Sequence, residues 1–204
     1  MDKQQSGFTV IEIVLVLVVV GVIAGVGITL LGKSNKSDTN KTVKNNTAST
    51  RPIVAESGMC FGVSKATIKS ILGTPAANLQ NLSDTGVQDI GKGDKAQTCV
   101  YPFVAGATST NSFTIDLGTF ASQANLDASQ KYVTTNGASV GGLGDSATYE
   151  AKDAPTSNSR DFVLTIRQDL KIYTFGISLP QDALTFNDSS AQRVLVQIAQ
   201  AATL

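Results

Sequence analysis

The stretch Ser6-Gly7-Phe8-Thr9-Val10-Ile11-Glu12-Ile13-Val14 decides how the chain is organised. Phe8 opens an apolar run that ends near Leu31, and residues 13–31 are apolar apart from glycines and Thr29. About 24 helical residues extend roughly 36 Å, enough to cross a bilayer core with some tilt. Valine and isoleucine dominate this run and in water would favour strands. In lipid every backbone group must bond within its own segment, so a helix results. Residues 1–7 before it are short and polar and contain Lys3.

Three readings compete for this run. A cleaved secretory signal has a shorter apolar core and a small-residue cleavage site; here the run ends Leu30-Leu31-Gly32-Lys33. The length argues against a buried helix of a soluble domain. A plain signal anchor fits the length but leaves Glu12 unexplained. A carboxylate inside an apolar span costs on the order of 3 kcal/mol at mid-bilayer and less near the interface. It makes sense where a partner cation sits at the same depth.

Gly7-Phe8-Thr9 with Glu12 and an uninterrupted span resembles the class III leader junction of type IV prepilins. In that family a membrane prepilin peptidase cuts after the glycine, and the new N-terminal phenylalanine is usually N-methylated. The resemblance implies leader cleavage between Gly7 and Phe8, N-methylation of Phe8, and an assembly role for Glu12 as the fifth residue of the mature chain. There it pairs with the charged N-terminus of a neighbouring subunit, so burial of the carboxylate is tolerated only where its partner is docked. The likeness covers residues 6–31. Gly21 and Gly25 have GxxxG spacing, which permits close helix approach. Unlike many family members, this span has no proline.

The expected partners follow from the resemblance: prepilin peptidase, other pilin subunits through the N-terminal helix, the pilus assembly machinery and membrane lipid. The implied function is a structural subunit that polymerises into a surface filament for adhesion, motility, DNA uptake or secretion. The alternative is a non-polymerising membrane-anchored extracytoplasmic binding or sensor domain. The implied location is the bacterial cytoplasmic membrane, single-pass with an extracytoplasmic C-terminal head, and then the filament. Lys33, Lys36, Lys41 and Lys44 follow the span and only Lys3 precedes it, so the positive-inside rule alone predicts the opposite orientation. The junction overrides it, because the leader must be cytoplasmic.

Residues 33–51 are polar, with no hydrophobic period, and Pro52 follows. They read as a flexible or extended tether, whereas the family usually continues its first helix into the head. The tether lysines can touch phosphate or anionic lipid, but a solvated tether is the preferred reading. The formal net charge of the chain is zero, so nucleic acid is a conceivable partner that charge does not support. The predicted units are a leader at 1–7, a transmembrane assembly helix at 8–32, a polar linker at 33–57 and a head at 58–204.

The head is predicted to be α+β, an antiparallel sheet with helices on one side. Ser64 can cap a short helix whose Ile68, Ile71 and Leu72 share a face, and Gly73 and Pro75 stop it. Cys99, Tyr101 and Phe103 alternate in a strand over 98–104, and Phe113, Ile115 and Leu117 alternate in another. Residues 119–129 suit a short helix. Phe162, Leu164 and Ile166 alternate, as do Tyr173, Phe175, Ile177 and Leu179, with a turn near Gln168-Asp169. From about Ser190 a closing helix carries Ala191, Val194, Leu195, Ile198, Ala199 and Ala202 along one stripe.

The chain has two cysteines and no histidine. That removes the commonest general base and metal ligand and is too few for a zinc site. Outside the cytoplasm Cys60 and Cys99 suit one disulfide; two free buried thiols are the alternative. Asp145, Glu150, Asp153, Asp161 and Asp169 read as solvated acids in loops and strand ends. No enzyme, metal or cofactor is expected. Cys60, Cys99 with Tyr101, Gly142-Leu143-Gly144-Asp145-Ser146-Ala147 and the terminal helix also resemble small Cys-bridged domains of actinobacterial surface lipoproteins. The glycine stretch lacks the lysine and following helix of a P-loop and reads as a tight turn.

Overall fold

The computed structural model describes residues 59–107, 109–130 and 137–204. The predicted leader, span and linker, with Gly7, Phe8 and Glu12, lie outside the described residues. The chain divides into two units, Met1–Thr50 and Arg51–Leu204, and the following concerns the second.

A small hairpin pairs β1 (Met59–Cys60) with β2 (Val63–Ser64). The helix α1 (Lys65–Leu72) follows β2 at once. Ser64 caps it: its Oγ accepts from the Thr67 N–H at 3.1 Å. Gly73, at φ 67°, ends it and donates to Lys69 O. Pro75 then sits in a 3-10 turn, Thr74–Ala76. On the face predicted to be apolar, Ile68 and Leu72 are buried and Ile71 is half-buried.

The main sheet is antiparallel, in the order β3 (Ser83–Asp84), β5 (Asp94–Pro102), β6 (Ser112–Thr119), β10 (Lys171–Pro180), β9 (Ser159–Gln168), β8 (Ser146–Ala154) and β7 (Ala138–Ser139). The strand β4 (Gln88–Gly91) also pairs with β5. The β4–β5 hairpin turns through Lys92 and Gly93, both at positive φ, the backbone that matches strand twist. Asp169, at φ 54°, turns β9 into β10 where Gln168-Asp169 predicted it. Its N–H is held by Asp145 Oδ2 at 2.7 Å.

Alternation places one row from each strand on the same face. Cys99, Ile115, Phe175, Leu164 and Tyr149 lie side by side in register. All five are buried and form the main core with Ile68 and Leu72 of α1 and with Ala191, Leu195, Ile198 and Ala199 of α3 (Asp188–Ala201). The closing helix starts two residues before Ser190 because Asn187 and Ser190 cap each other reciprocally.

Two sequence expectations need correction. Helices do not lie on one side only. Ile172 and Tyr173 are adjacent in β10, point to opposite faces and are both buried. The cover over Ile172 comes from Phe120 and from Leu126 of α2 (Gln123–Gln130), a second small core. Nor does every acid lie in a loop or at a strand end: Asp153 and Asp161 lie near the ends of β8 and β9, but Glu150 lies mid-strand in β8. β8 went unpredicted because alanines flank Tyr149 at its inward positions, Ala147 and Ala151, and so carry little hydrophobic period.

Cys60 and Cys99 form a disulfide, with Cα atoms 6.3 Å apart. At a sequence separation of 39 residues, loop entropy gives the bridge about 4 kcal/mol. Cys60→Ser/Cys99→Ser should lose an amount of that order in denaturant unfolding of the full chain, against the oxidised wild type. An unchanged midpoint would show that the bridge restrains nothing in the unfolded chain.

Candidate functional site

The head begins at a covalent anchor. Cys60, second of the described residues, is joined to Cys99 near the middle of β5. Phe61 and Gly62 turn the hairpin at φ 49° and 79°. The C-terminal tail closes on that turn, with Thr203 N–H donating to Phe61 O at 2.8 Å. A Cβ on Gly62 would collide with Thr203, so the close approach requires glycine here.

A polar clamp holds the N-terminus of α3 on the sheet. Arg160 of β9 reaches Asp153 of β8 at 2.7 Å and Asp188 of α3 at 2.8 Å. Tyr149 Oη donates to Asp188 O at 2.9 Å. Burial, and then the Asp188 charge, push the Tyr149 hydroxyl up to about 12, so it stays protonated as a donor at neutral pH.

Asp145 and Asp161 are also fasteners. Asp145 holds the β9–β10 turn, and Asp161 Oδ1 accepts from Ser178 Oγ at 2.7 Å. Among the described residues no group of three His, Cys, Asp or Glu could hold a metal ion. The Gly142–Gly144 stretch is a turn, with both of these glycines at positive φ. A Cβ on Gly144 would strike Arg167 O, so the turn packs closely on β9 at that glycine.

One acid stands apart. Asp116 lies on the sheet face away from the main core, in a row with Thr98, Thr174, Thr165 and Thr148. Its Oδ1 accepts from Thr98 Oγ1 at 2.6 Å. The residue keeps some solvent contact, yet its carboxyl is enclosed; desolvation raises its pKa against the lowering effect of the Thr98 bond. The native state therefore holds this proton to higher pH than the unfolded chain does. Between the ordinary carboxyl pKa and the raised one, stability falls as pH rises, and the penalty is complete above it. Asp116→Asn keeps an acceptor for Thr98 and loses the charge. It should melt higher than wild type at pH 7, with the gap closing as pH drops through the carboxyl range. A variant that melts lower at pH 7 would contradict the sign. Nothing in the sequence marks Asp116, which occupies an ordinary polar position of an alternating strand.

None of these features is a catalytic constellation, and the identity of the chain rests on its other end. Residues 2–28 match the model of the prokaryotic N-terminal methylation motif. The chain carries a class III prepilin leader. Gly7, Phe8 and Glu12 all fall within the matched residues of this prepilin-like chain. No curated protein matches it. Among the described residues no helix is long and apolar enough to cross a membrane; the match covers residues 8–28 of the predicted span.

Proposed function

We propose that this prepilin-like chain is a non-catalytic structural subunit of a surface filament of the type IV pilus class. The methylation-motif match over residues 2–28 carries the reading. Prepilin peptidase removes residues 1–7 on the cytoplasmic side, and Phe8 becomes the methylated N-terminus. Residues 8–32 hold the subunit in the membrane and then pack against other subunits in the filament, while the head stays outside the cytoplasm. The lone Glu12 supports assembly over simple anchoring, because a permanent anchor gains nothing from an acid within its span. The Cys60–Cys99 bridge suits a head in an oxidising compartment.

Mechanical shearing of cells tests the proposal. The subunit should appear in the sheared filament fraction in its cleaved form. With the prepilin peptidase inactivated it should remain wholly in the membrane as the full-length chain. Recovery only from the membrane in wild-type cells, cleaved but never sheared, would favour the non-polymerising anchored domain.

A further inference from the structure

The head is entered through a covalent bypass. Cys60 sits next to the first described residue, Met59, and its partner Cys99 pairs with Ile115 near the middle of the β5–β6 ladder. Between them β2, α1, the 3-10 turn, β3, β4 and the first half of β5 lie inside the loop that the bridge closes. Of these, β3 and β4 are the lightly attached parts. β3 meets β5 at two register pairs, and β4 at three with an irregularity. The ladder of β5 with β6, by contrast, runs from Lys95 to Pro102 without a break.

We propose that the Cys60–Cys99 bridge is a load strap: traction arriving along the chain from the N-terminal side passes directly into β5, and residues 61–93, the part of the closed loop before β5, carry none of it. This rests on the reading that residues 8–32 anchor the subunit, since only an anchored chain feels such traction. The geometry favours it in two ways. Load delivered at Cys99 falls on the middle of a continuous ladder, so many bonds must yield together. Load delivered into β4 opens its hairpin one pair at a time. Both cysteines are buried, at 1% and 0% exposure, so the strap is shielded from reductants while the hairpin stays folded.

Single-molecule pulling on the full oxidised chain in detergent micelles tests the strap whether or not the chain polymerises. One pair of handles uses azide-bearing residues in place of Thr50 and Lys152, so that load enters from the N-terminal side. A second pair uses positions 88 and 152 and loads the bypassed segment directly. The first rupture should need roughly twofold less force from position 88 than from position 50, since forced unfolding follows the barrier along the pulled route. Equal forces would overturn the strap, because the bypassed segment would then need no shielding. In Cys60→Ser/Cys99→Ser pulled from position 50, an early step should appear that releases about 110 Å of chain, for residues 61–93 ahead of β5. Its absence in a folded variant would also overturn the proposal. If the variant does not fold, the wild-type comparison decides alone.

Discussion

Gly7→Val should abolish maturation. The variant should accumulate in the membrane as the full-length chain, heavier than the mature form by residues 1–7, and the sheared fraction should be empty. The leader Met1-Asp2-Lys3-Gln4-Gln5-Ser6-Gly7 is polar and ends where the apolar run begins. A peptidase acting at that boundary must bring its catalytic groups against the backbone beside Phe8. Glycine admits such an approach because it has no Cβ, and valine adds a branched side chain that restricts the local backbone as well. The uncleaved N-terminus would keep Lys3 and the polar leader attached to the helix. Packing Phe8 among neighbouring helices would then require dragging those groups into lipid. Immunoblotting of membrane and sheared fractions with intact mass measurement reads both effects. Cleavage of the variant at the wild-type rate would remove Gly7 from recognition.

Glu12→Ala should separate insertion from assembly. Insertion of the single chain should be unharmed or easier, since a carboxylate in the span costs on the order of 3 kcal/mol at mid-bilayer. Leader cleavage and head folding should be normal. Polymerisation is different, because in the proposed filament each mature subunit would also bury the Phe8 amine. An unpaired buried cation is as costly as an unpaired anion, and pairing the two makes each subunit's burial depend on its neighbour. Loss of ~1.4 kcal/mol per contact is already tenfold in an equilibrium constant, so incorporation should drop by about that factor or more. Glu12→Gln discriminates further: a mild defect points to hydrogen bonding, a severe one to charge. The readout is the sheared-to-membrane ratio of the variant beside wild type. A wild-type ratio for Glu12→Ala would show that Glu12 does not carry assembly.

Where side chains are large and regularly spaced, the head could be read in advance. Phe162-Leu164-Ile166 and Tyr173-Phe175-Ile177-Leu179 announced β9 and β10, and the 3.6-residue stripe from Ala191 announced α3. Ser64 and Gly73 framed α1 through side-chain capping and positive φ. The predicted cysteine pairing matches the structure. What escaped was built from weaker signals. β8 has an inward row of Ala147, Tyr149 and Ala151, small residues whose burial depends on neighbours far along the chain. The cover over Ile172 depends on where α2 lands, a tertiary event that periodicity does not encode. Arg160 links Asp153 and Asp188 across 7 and 28 residues of sequence, the first pairing set by sheet register and the second by where α3 docks. The functional segment was the most legible part, because a charge inside an apolar span is rare for a physical reason that applies to any membrane.

The direct measurement is the N-terminal residue of the protein recovered from cells, read by mass spectrometry of its N-terminal peptide and of the intact chain. The prepilin reading predicts a chain that begins at Phe8, carries one added methyl group on its amine and retains the Cys60–Cys99 bridge before reduction. A chain recovered from assembled filaments that still begins at Met1 and includes the Gly7-Phe8 bond would contradict it.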